Sequence, residues 1–363
     1  MGKKLRYGII GCGGIAGGKH LPAVKGLGDV EIAAFCDILP ERAESVNREY
    51  AGGKGKVFAD YRELLREELD AVFVLTPNNS HSEIAVAALK AGKHVMCEKP
   101  MAKNYTEAKA MLAARDESGK LLTIGYQNRF RPDSLFLKAE CEKGALGEIY
   151  FAKAAALRRR AVPTWGVFLD AEKQGGGPLI DIGTHALDLT LFMMNNYEPL
   201  YAVGTVYHKL NKDKNAGNAW GDWDTKTFTA EDSAFGFVVM KNGATVILES
   251  SWALNITEGR EAVTTLCGTK GGAEMPKAGE LVLNGVKNSR PYNLTPLLQR
   301  GGVAFYKGDE DEASVTEAKV FRDAILGKGK LYVLPEQAFV VTKILEGIYK
   351  SAASGKPHYF DKE

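Results

Sequence analysis

Residues 5–16 read LRYGIIGCGGIA, and the fold turns on how they are read. Leu5–Ile10 is a short apolar run suited to a buried strand. It leads straight into Gly11-Cys12-Gly13-Gly14-Ile15-Ala16, a G-x-G-x-x-A pattern. Glycines so spaced let a strand turn tightly into a helix and let the backbone approach a pyrophosphate. Glycine-rich turns are common in α/β proteins, so the context carries the inference. Val30–Cys36 predicts a second strand ending in Asp37, about twenty residues beyond the glycines. A carboxylate there accepts hydrogen bonds from both adenosine ribose hydroxyls and repels a 2′-phosphate. Ile38 and Leu39 offer no arginine at the next two positions, which favours NAD over NADP even with Arg42 nearby.

Working outward, Tyr61–Glu68 predicts a helix and Ala71–Leu75 a buried parallel strand, which ends in Thr76-Pro77-Asn78-Asn79-Ser80-His81. Ligands of open α/β sheets lie outside the carboxyl ends of the strands, so this turn borders the cofactor. His81 sits before the Ser82–Ala91 helix and reads more readily as a residue behind the site or on the surface than as a catalytic one. His94–Cys97 is another strand, followed by Glu98-Lys99-Pro100. A lysine at the carboxyl end of a central strand is placed to enter the cleft; the plain alternative is a solvated surface lysine. Thr106–Glu117 and Leu121–Gly125 complete a doubly wound parallel domain over residues 1–125 and leave 126–363 as a second domain.

Gly175–Leu189 reads GGGPLIDIGTHALDL. Asp181 and His185 are four apart and Asp188 follows three later, a spacing that puts them on one helical face. The glycine run, Pro178 and the Leu187/Leu191/Met194 spacing predict a helix that starts near Ile182. A carboxylate beside an imidazole suits proton transfer near neutral pH, whereas the plain reading is a helix cap next to a core histidine. Asn128–Lys143 predicts a helix. Glu148–Leu157, Leu200–Leu210, Ser233–Met240, Ala244–Trp252 and Val263–Gly268 predict strands, with Lys241-Asn242-Gly243 as a hairpin turn. Strands following a βαβ block indicate an α+β second domain. Glu312–Leu326 and Pro335–Ser354 predict two closing helices, and a broad sheet face left open predicts a homo-oligomer.

GIIGCGGIA, Asp37, TPNNSH, Glu98-Lys99-Pro100, GYQNRF and GGGPLIDIGTHALDL occur in this order along the chain. Together they resemble the glucose–fructose oxidoreductase/inositol dehydrogenase family, Gfo/Idh/MocA, over essentially the whole chain. The resemblance implies an N-terminal Rossmann domain that binds NAD and a C-terminal domain with a large, mostly antiparallel sheet. It implies that Lys99, Asp181 and His185 serve catalysis at the nicotinamide. Cofactor contacts are expected from Gly11, Gly13, Gly14, Ile15 and Asp37 on the adenosine side. Further contacts are expected from Thr76, Pro77, Asn78, His81, Glu98, Lys99 and Gln127.

Oxidising a secondary alcohol needs a base at the hydroxyl and a donor for the developing alkoxide. His185 and Lys99 fit those roles, in either order, with Asp181 orienting the imidazole. Substrate contacts are expected from Lys99, Asn128, Arg158, Trp165, Asp181, Thr184 and His185. Tryptophans such as Trp165, Trp220 and Trp223 suit the apolar face of a sugar ring, although interface packing explains Trp165 and Trp223 equally well. Asn128 and Arg129 follow the last Rossmann strand, and helix capping and surface charge account for them more simply than a place at the cleft. The Arg158–Trp165 loop and the AEDSAF segment resemble the branch that oxidises carbon 3 of glucosides, C-glucosides included. An NAD-assisted glycosidase, an inositol or polyol dehydrogenase and a non-catalytic sugar-sensing regulator are the alternatives.

Composition narrows the classes. With 363 residues, 45% hydrophobic and 25% charged, the chain is an ordinary globular protein long enough for two domains. A net charge of +2 gives no basic surface for nucleic acid or an anionic membrane, and no apolar run has the length of a membrane span. Five scattered cysteines lack metal-ligand spacing, so no metal is expected. Reduced thiols and an opening strand at Leu5, which leaves no room for a secretory leader, point to the cytoplasm.

Overall fold

The structure is a computed structural model that describes residues 4–213, 217–298 and 312–362. It divides into two compact units, Met1–Gln127 with Asp311–Phe339 and Asn128–Glu310 with Val340–Glu363.

In the first unit, β1 (Leu5–Ile10), β2 (Val30–Cys36), β3 (Lys56–Phe58), β4 (Ala71–Val74), β5 (His94–Cys97) and β6 (Leu122–Ile124) form a parallel sheet in the order β3-β2-β1-β4-β5-β6. The order reverses between β1 and β4, which makes the crevice where such sheets take dinucleotides. β4 is buried at every residue, as a parallel strand covered on both faces must be. Helices Pro40–Ala51, Asn78–Lys90 and Tyr105–Ser118 provide the crossovers. Asn104 caps the last of them through the Glu107 N–H at 2.9 Å, and Gly119 ends it at φ 63°.

The sheet's aromatic core includes a residue from far along the chain. Phe73 lies 5.5 Å from Tyr7 and 5.8 Å from Phe321, ring centre to ring centre. Phe321 belongs to the helix Ala313–Ile325, whose Arg322 pairs with Asp29 at 2.9 Å. A linear division after residue 125 does not provide for this return of the chain.

The second unit is built on β7 (Ile149–Leu157), β8 (Pro199–Tyr207), β9 (Ser233–Met240), β10 (Thr245–Ser251), β11 (Arg260–Gly268), β12 (Gly271–Glu274), β13 (Val282–Lys287), β14 (Arg290–Leu294) and β15 (His358–Tyr359). Their order is β14-β13-β12-β11-β7-β10-β9-β8-β15, and among the described strands only β10 with β7 is parallel. The predicted hairpin joins β9 to β10, with Gly243 at φ 88° and the Met240 N–H on Ala244 O at 2.8 Å. One face packs under helices. Thr184–Met194 lies on β7 and β11, and Ile348 sits so close to Gly204 and Gly236 that a Cβ on either would collide with it. The opposite face carries Val203, Phe237, Ile247 and Lys153 in register across four strands. Phe237 there is 42% exposed.

Several elements differ from the sequence reading. The Asn128–Lys143 helix is broken: Gln127–Phe130 is a 3-10 turn, Arg131 is extended at ψ 146°, and the α-helix is Pro132–Glu142. Proline clashes with a helical residue before it, so Arg131 leaves the helical region. The helix predicted at Tyr61–Glu68 is only Tyr61–Leu64, and the strand predicted to reach Leu210 ends at Tyr207. The short, glycine-bearing or polar strands β3, β12, β13 and β14 carry too little periodicity to be read.

Candidate functional site

The first unit supplies a dinucleotide cradle. Gly11 has φ 93°, and a Cβ there would lie 2.6 Å from the Leu75 carbonyl, so β1 and β4 approach to a distance only glycine allows. Cβ atoms on Gly13 or Gly14 would meet nothing within 4 Å, which leaves open space above the loop. Asp37 is 8% exposed. Its Oδ2 accepts the Cys12 N–H at 2.8 Å and its Oδ1 the Leu39 N–H at 2.9 Å. The carboxylate therefore braces the glycine loop. Beside it Ile38 is 86% exposed, an apolar surface next to the position of an adenosine. Ile15 is also exposed, at the start of the helix. Open glycine backbone and a held carboxylate fit a dinucleotide without a 2′-phosphate.

Around the carboxyl ends of β4 and β5 the expected residues divide. Thr76 Oγ1 accepts the Ser80 hydroxyl at 2.7 Å, so the turn through Pro77 and Asn78 is braced internally. His81 is 1% exposed, with Nδ1 2.8 Å from Pro100 O and Nε2 2.8 Å from Thr76 O. Burial pushes its pKa down despite both carbonyls. It joins two turns and lies behind the surface. Glu98 is likewise turned inward: Oε1 meets Lys19 and His20, each at 2.7 Å, and Oε2 accepts the Lys99 N–H at 3.0 Å. Burial raises a carboxyl, but Lys19 and His20 overcome it and hold Glu98 well below the ordinary range. Lys99 and Gln127 are half-buried.

In the second unit the helix of the D-x-x-x-H motif begins earlier than predicted. Pro178 leads into a wide π-type turn, Leu179–Gly183, which continues as Thr184–Met194. Such turns insert a residue into the helical repeat and re-aim the side chains around it. Glu231 secures the start. Its Oε2 accepts the Gly177 N–H at 2.6 Å, and its Oε1 accepts the Leu179 N–H at 3.2 Å and the Tyr349 hydroxyl at 2.7 Å. A Cβ on Gly176 would collide with Tyr349 and one on Gly177 with Glu231, which explains the glycine run. Burial pushes the Glu231 pKa up against those three donors.

Asp181 and His185 are both 8% exposed, and Thr184 is wholly buried. Asp181 Oδ2 accepts the Trp252 indole N–H at 2.9 Å. Asp188 does not join them as a third member: Arg129 grips it with Nε at 2.9 Å and Nη2 at 2.5 Å. Arg129 is fully buried over the Phe192 ring, so it is neither a cleft residue nor a surface charge. That pair fastens the turn bearing Asn128 to this helix.

Arg158 forks onto Glu261 with two contacts of 2.6 Å and lies 5.2 Å from the Trp220 ring centre. Its guanidinium is thus taken up by a partly exposed carboxylate of the same unit. Trp165 is 52% exposed and meets Trp220 edge-on at 4.9 Å, an aromatic shelf. Trp223 packs on Phe228 at 5.7 Å, and Phe228 on Trp252 at 6.2 Å, which connects this loop to the indole that holds Asp181. The sequence reading missed Trp252 and Glu231. Trp252 had one usable signal, since a buried indole N–H requires an acceptor. Among the described residues no three His, Cys, Asp or Glu side chains are grouped to hold a metal.

Known proteins match both units. Residues 5–126 match the profile of the Gfo/Idh/MocA oxidoreductase family with an NAD-binding Rossmann fold, and residues 135–274 match a Gfo/Idh/MocA C-terminal domain. The chain is 35% identical to D-glucoside 3-dehydrogenase of Escherichia coli K12 over 97% of this chain and 96% of that one. It is 29% identical to myo-inositol 2-dehydrogenase of Thermotoga maritima over 68% of each. Its fold matches levoglucosan dehydrogenase, solved with NADH and levoglucosan, with a TM-score of 0.82, 22% identity and 98% coverage of both chains.

Proposed function

The chain belongs to the Gfo/Idh/MocA family of NAD-binding oxidoreductases, and on that premise we propose that it oxidises the carbon 3 hydroxyl of a D-glucoside. The observation that carries the proposal is the nearly end-to-end match with the Escherichia coli glucoside dehydrogenase, which spans the cradle and the D-x-x-x-H helix alike. Oxidation at carbon 3 leaves the anomeric bond intact, so C-glucosides fall within the proposal as well as O-glucosides.

In the reaction the substrate loses one C–H and one O–H bond and gains a C=O bond. NAD, when bound, supplies the acceptor for the two electrons and the hydrogen leaving carbon. His185 and Lys99 act as the acid/base groups. In the assignment we favour, the imidazole takes the hydroxyl proton while the ammonium donates a hydrogen bond to the same oxygen as charge develops. Asp181, held by Trp252, orients the imidazole. The Trp165 shelf gives the sugar an apolar face to lie on.

A second copy of the chain covers the open sheet face, because a row as apolar as Val203, Phe237 and Ile247 is costly to leave in water. Five free thiols suit a reducing cytoplasm.

The test is to quench the purified protein in acid, identify any nucleotide by mass, and offer O- and C-glucosides with NAD. A 3-keto product located by NMR, lost in His185→Ala with NAD affinity retained, supports the reading. Turnover of a free inositol instead points to a polyol dehydrogenase, and net hydrolysis without net NADH to a glycosidase. No turnover of any kind leaves a sugar sensor, and each of these three results refutes the proposal.

A further inference from the structure

Lys19 rises from a wide helical turn, Ala16–His20, just beyond the glycine loop, and its side chain is only one-tenth exposed. Its ammonium meets Glu98 Oε1 at 2.7 Å, Gln127 Oε1 at 3.1 Å and Glu317 Oε2 at 3.1 Å. The first two are hydrogen bonds and the third an ion pair, so the ammonium is held by partners from three separate segments. Glu98 follows β5, Gln127 follows β6, and Glu317 lies on the returning helix Ala313–Ile325. His20, also buried, brings Nε2 to the same Glu98 oxygen at 2.7 Å. Because Lys19 only donates, Gln127 turns its carbonyl oxygen to it and its NH2 away.

A doubly wound sheet of this order is two mononucleotide-binding halves. The glycine loop and Asp37 belong to the first half, built on β1–β3; Glu98 and Gln127 belong to the second, built on β4–β6. Lys19 starts in the first half, and two of its partners lie in the second. We propose that Lys19, countered by Glu317, is a positioning residue that sets the Glu98–Lys99 turn and the Gln127 amide for the nicotinamide end of NAD. It acts through Glu98, whose other oxygen holds the Lys99 N–H at 3.0 Å. A helix some three hundred residues downstream of the glycine loop thereby takes part in cofactor binding. The inference depends on NAD binding and not on which sugar is oxidised.

The test compares NAD with ADP-ribose, which has the adenosine and both phosphates but no nicotinamide, by calorimetric titration of the full chain. Lys19→Met is expected to weaken NAD on the order of tenfold, about 1.4 kcal/mol for a misplaced nicotinamide end, while ADP-ribose stays within about twofold. Glu317→Gln keeps the side chain's shape and is expected to weaken NAD several-fold with the same selectivity; it carries the test if Lys19→Met does not fold. Equal losses on both ligands mean general damage to the unit and overturn the inference, as does no loss on either. A wild-type chain that binds ADP-ribose as tightly as NAD overturns it too, since the nicotinamide end then adds nothing to position. Failure to oxidise a glucoside bears on the proposed function alone and leaves these titrations to decide.

Discussion

Asp37→Asn tests the cradle with the smallest change of shape. Both carboxylate oxygens already hold backbone donors, Cys12 N–H at 2.8 Å and Leu39 N–H at 2.9 Å. An amide has one acceptor oxygen, so its NH2 must face one of those N–H groups. A hydrogen bond to a charged group contributes about 1.5–3 kcal/mol, and stranding a buried N–H costs about 1–3 kcal/mol. The two overlap, so we expect a loss of about 2–4 kcal/mol. On a unit of this size that lowers Tm by roughly 4–16 °C. The amide also loses the charge-assisted acceptance of ribose hydroxyls, so NAD binds about 10- to 100-fold more weakly. NADP suffers less, because the repulsion against its 2′-phosphate goes with the charge. Thermal unfolding without cofactor and titration with each nucleotide read the two effects separately. An unchanged Tm together with an unchanged NAD-to-NADP preference refutes the idea that this carboxylate both braces the loop and selects the cofactor.

Other perturbations probe the second unit, the buried cluster and the open face. Trp252→Phe removes the indole N–H from Asp181 and should cost about 2–3 kcal/mol in urea unfolding, with turnover down at least about tenfold and NAD affinity held. Retained turnover would show that Asp181 needs no such brace. Glu231→Gln sets an amide NH2 against a backbone donor at the start of the motif helix, so hydrogen exchange should accelerate at residues 177–183 ahead of the rest of that helix. Glu98 is held below its unfolded pKa, so its contribution to stability is complete above the ordinary carboxylate range and is lost as pH falls through and below it. Unfolding free energy measured from about pH 7 to pH 3 should therefore drop less steeply in Glu98→Gln, from a lower starting value. Phe237→Lys on the open face should dissociate the oligomer in light scattering if a second copy covers that face, and should leave the mass unchanged if none does.

Much of this was legible because it is local. The turn from β1 into the glycine loop and the carboxylate at the end of β2 each rest on a few consecutive residues and one rule of backbone chemistry. The same holds for the alternating strands of the second unit. The glycine spacing after β1 announced the tight turn at Gly11, and the Lys241-Asn242-Gly243 turn announced its hairpin. Where a local pattern was interrupted, as by Pro132, the boundary moved but the element survived.

The sequence by itself determined the two architectures, the NAD cradle and the motif bearing Asp181 and His185. Only the tertiary structure decided which polar side chains are turned inward. Glu98, His81, Arg158 and Arg129 read as surface or site groups until their partners were seen: Lys19 and His20, two carbonyls, Glu261 and Asp188. The same holds for Glu231 at the head of the motif helix, Trp252 on Asp181, and Glu317 returning to Lys19. The physical reason is that a buried charge is tolerated only with a partner, and the partner's distance along the chain is unconstrained. Periodicity reports which face of an element is covered; it carries no record of which distant residue covers it.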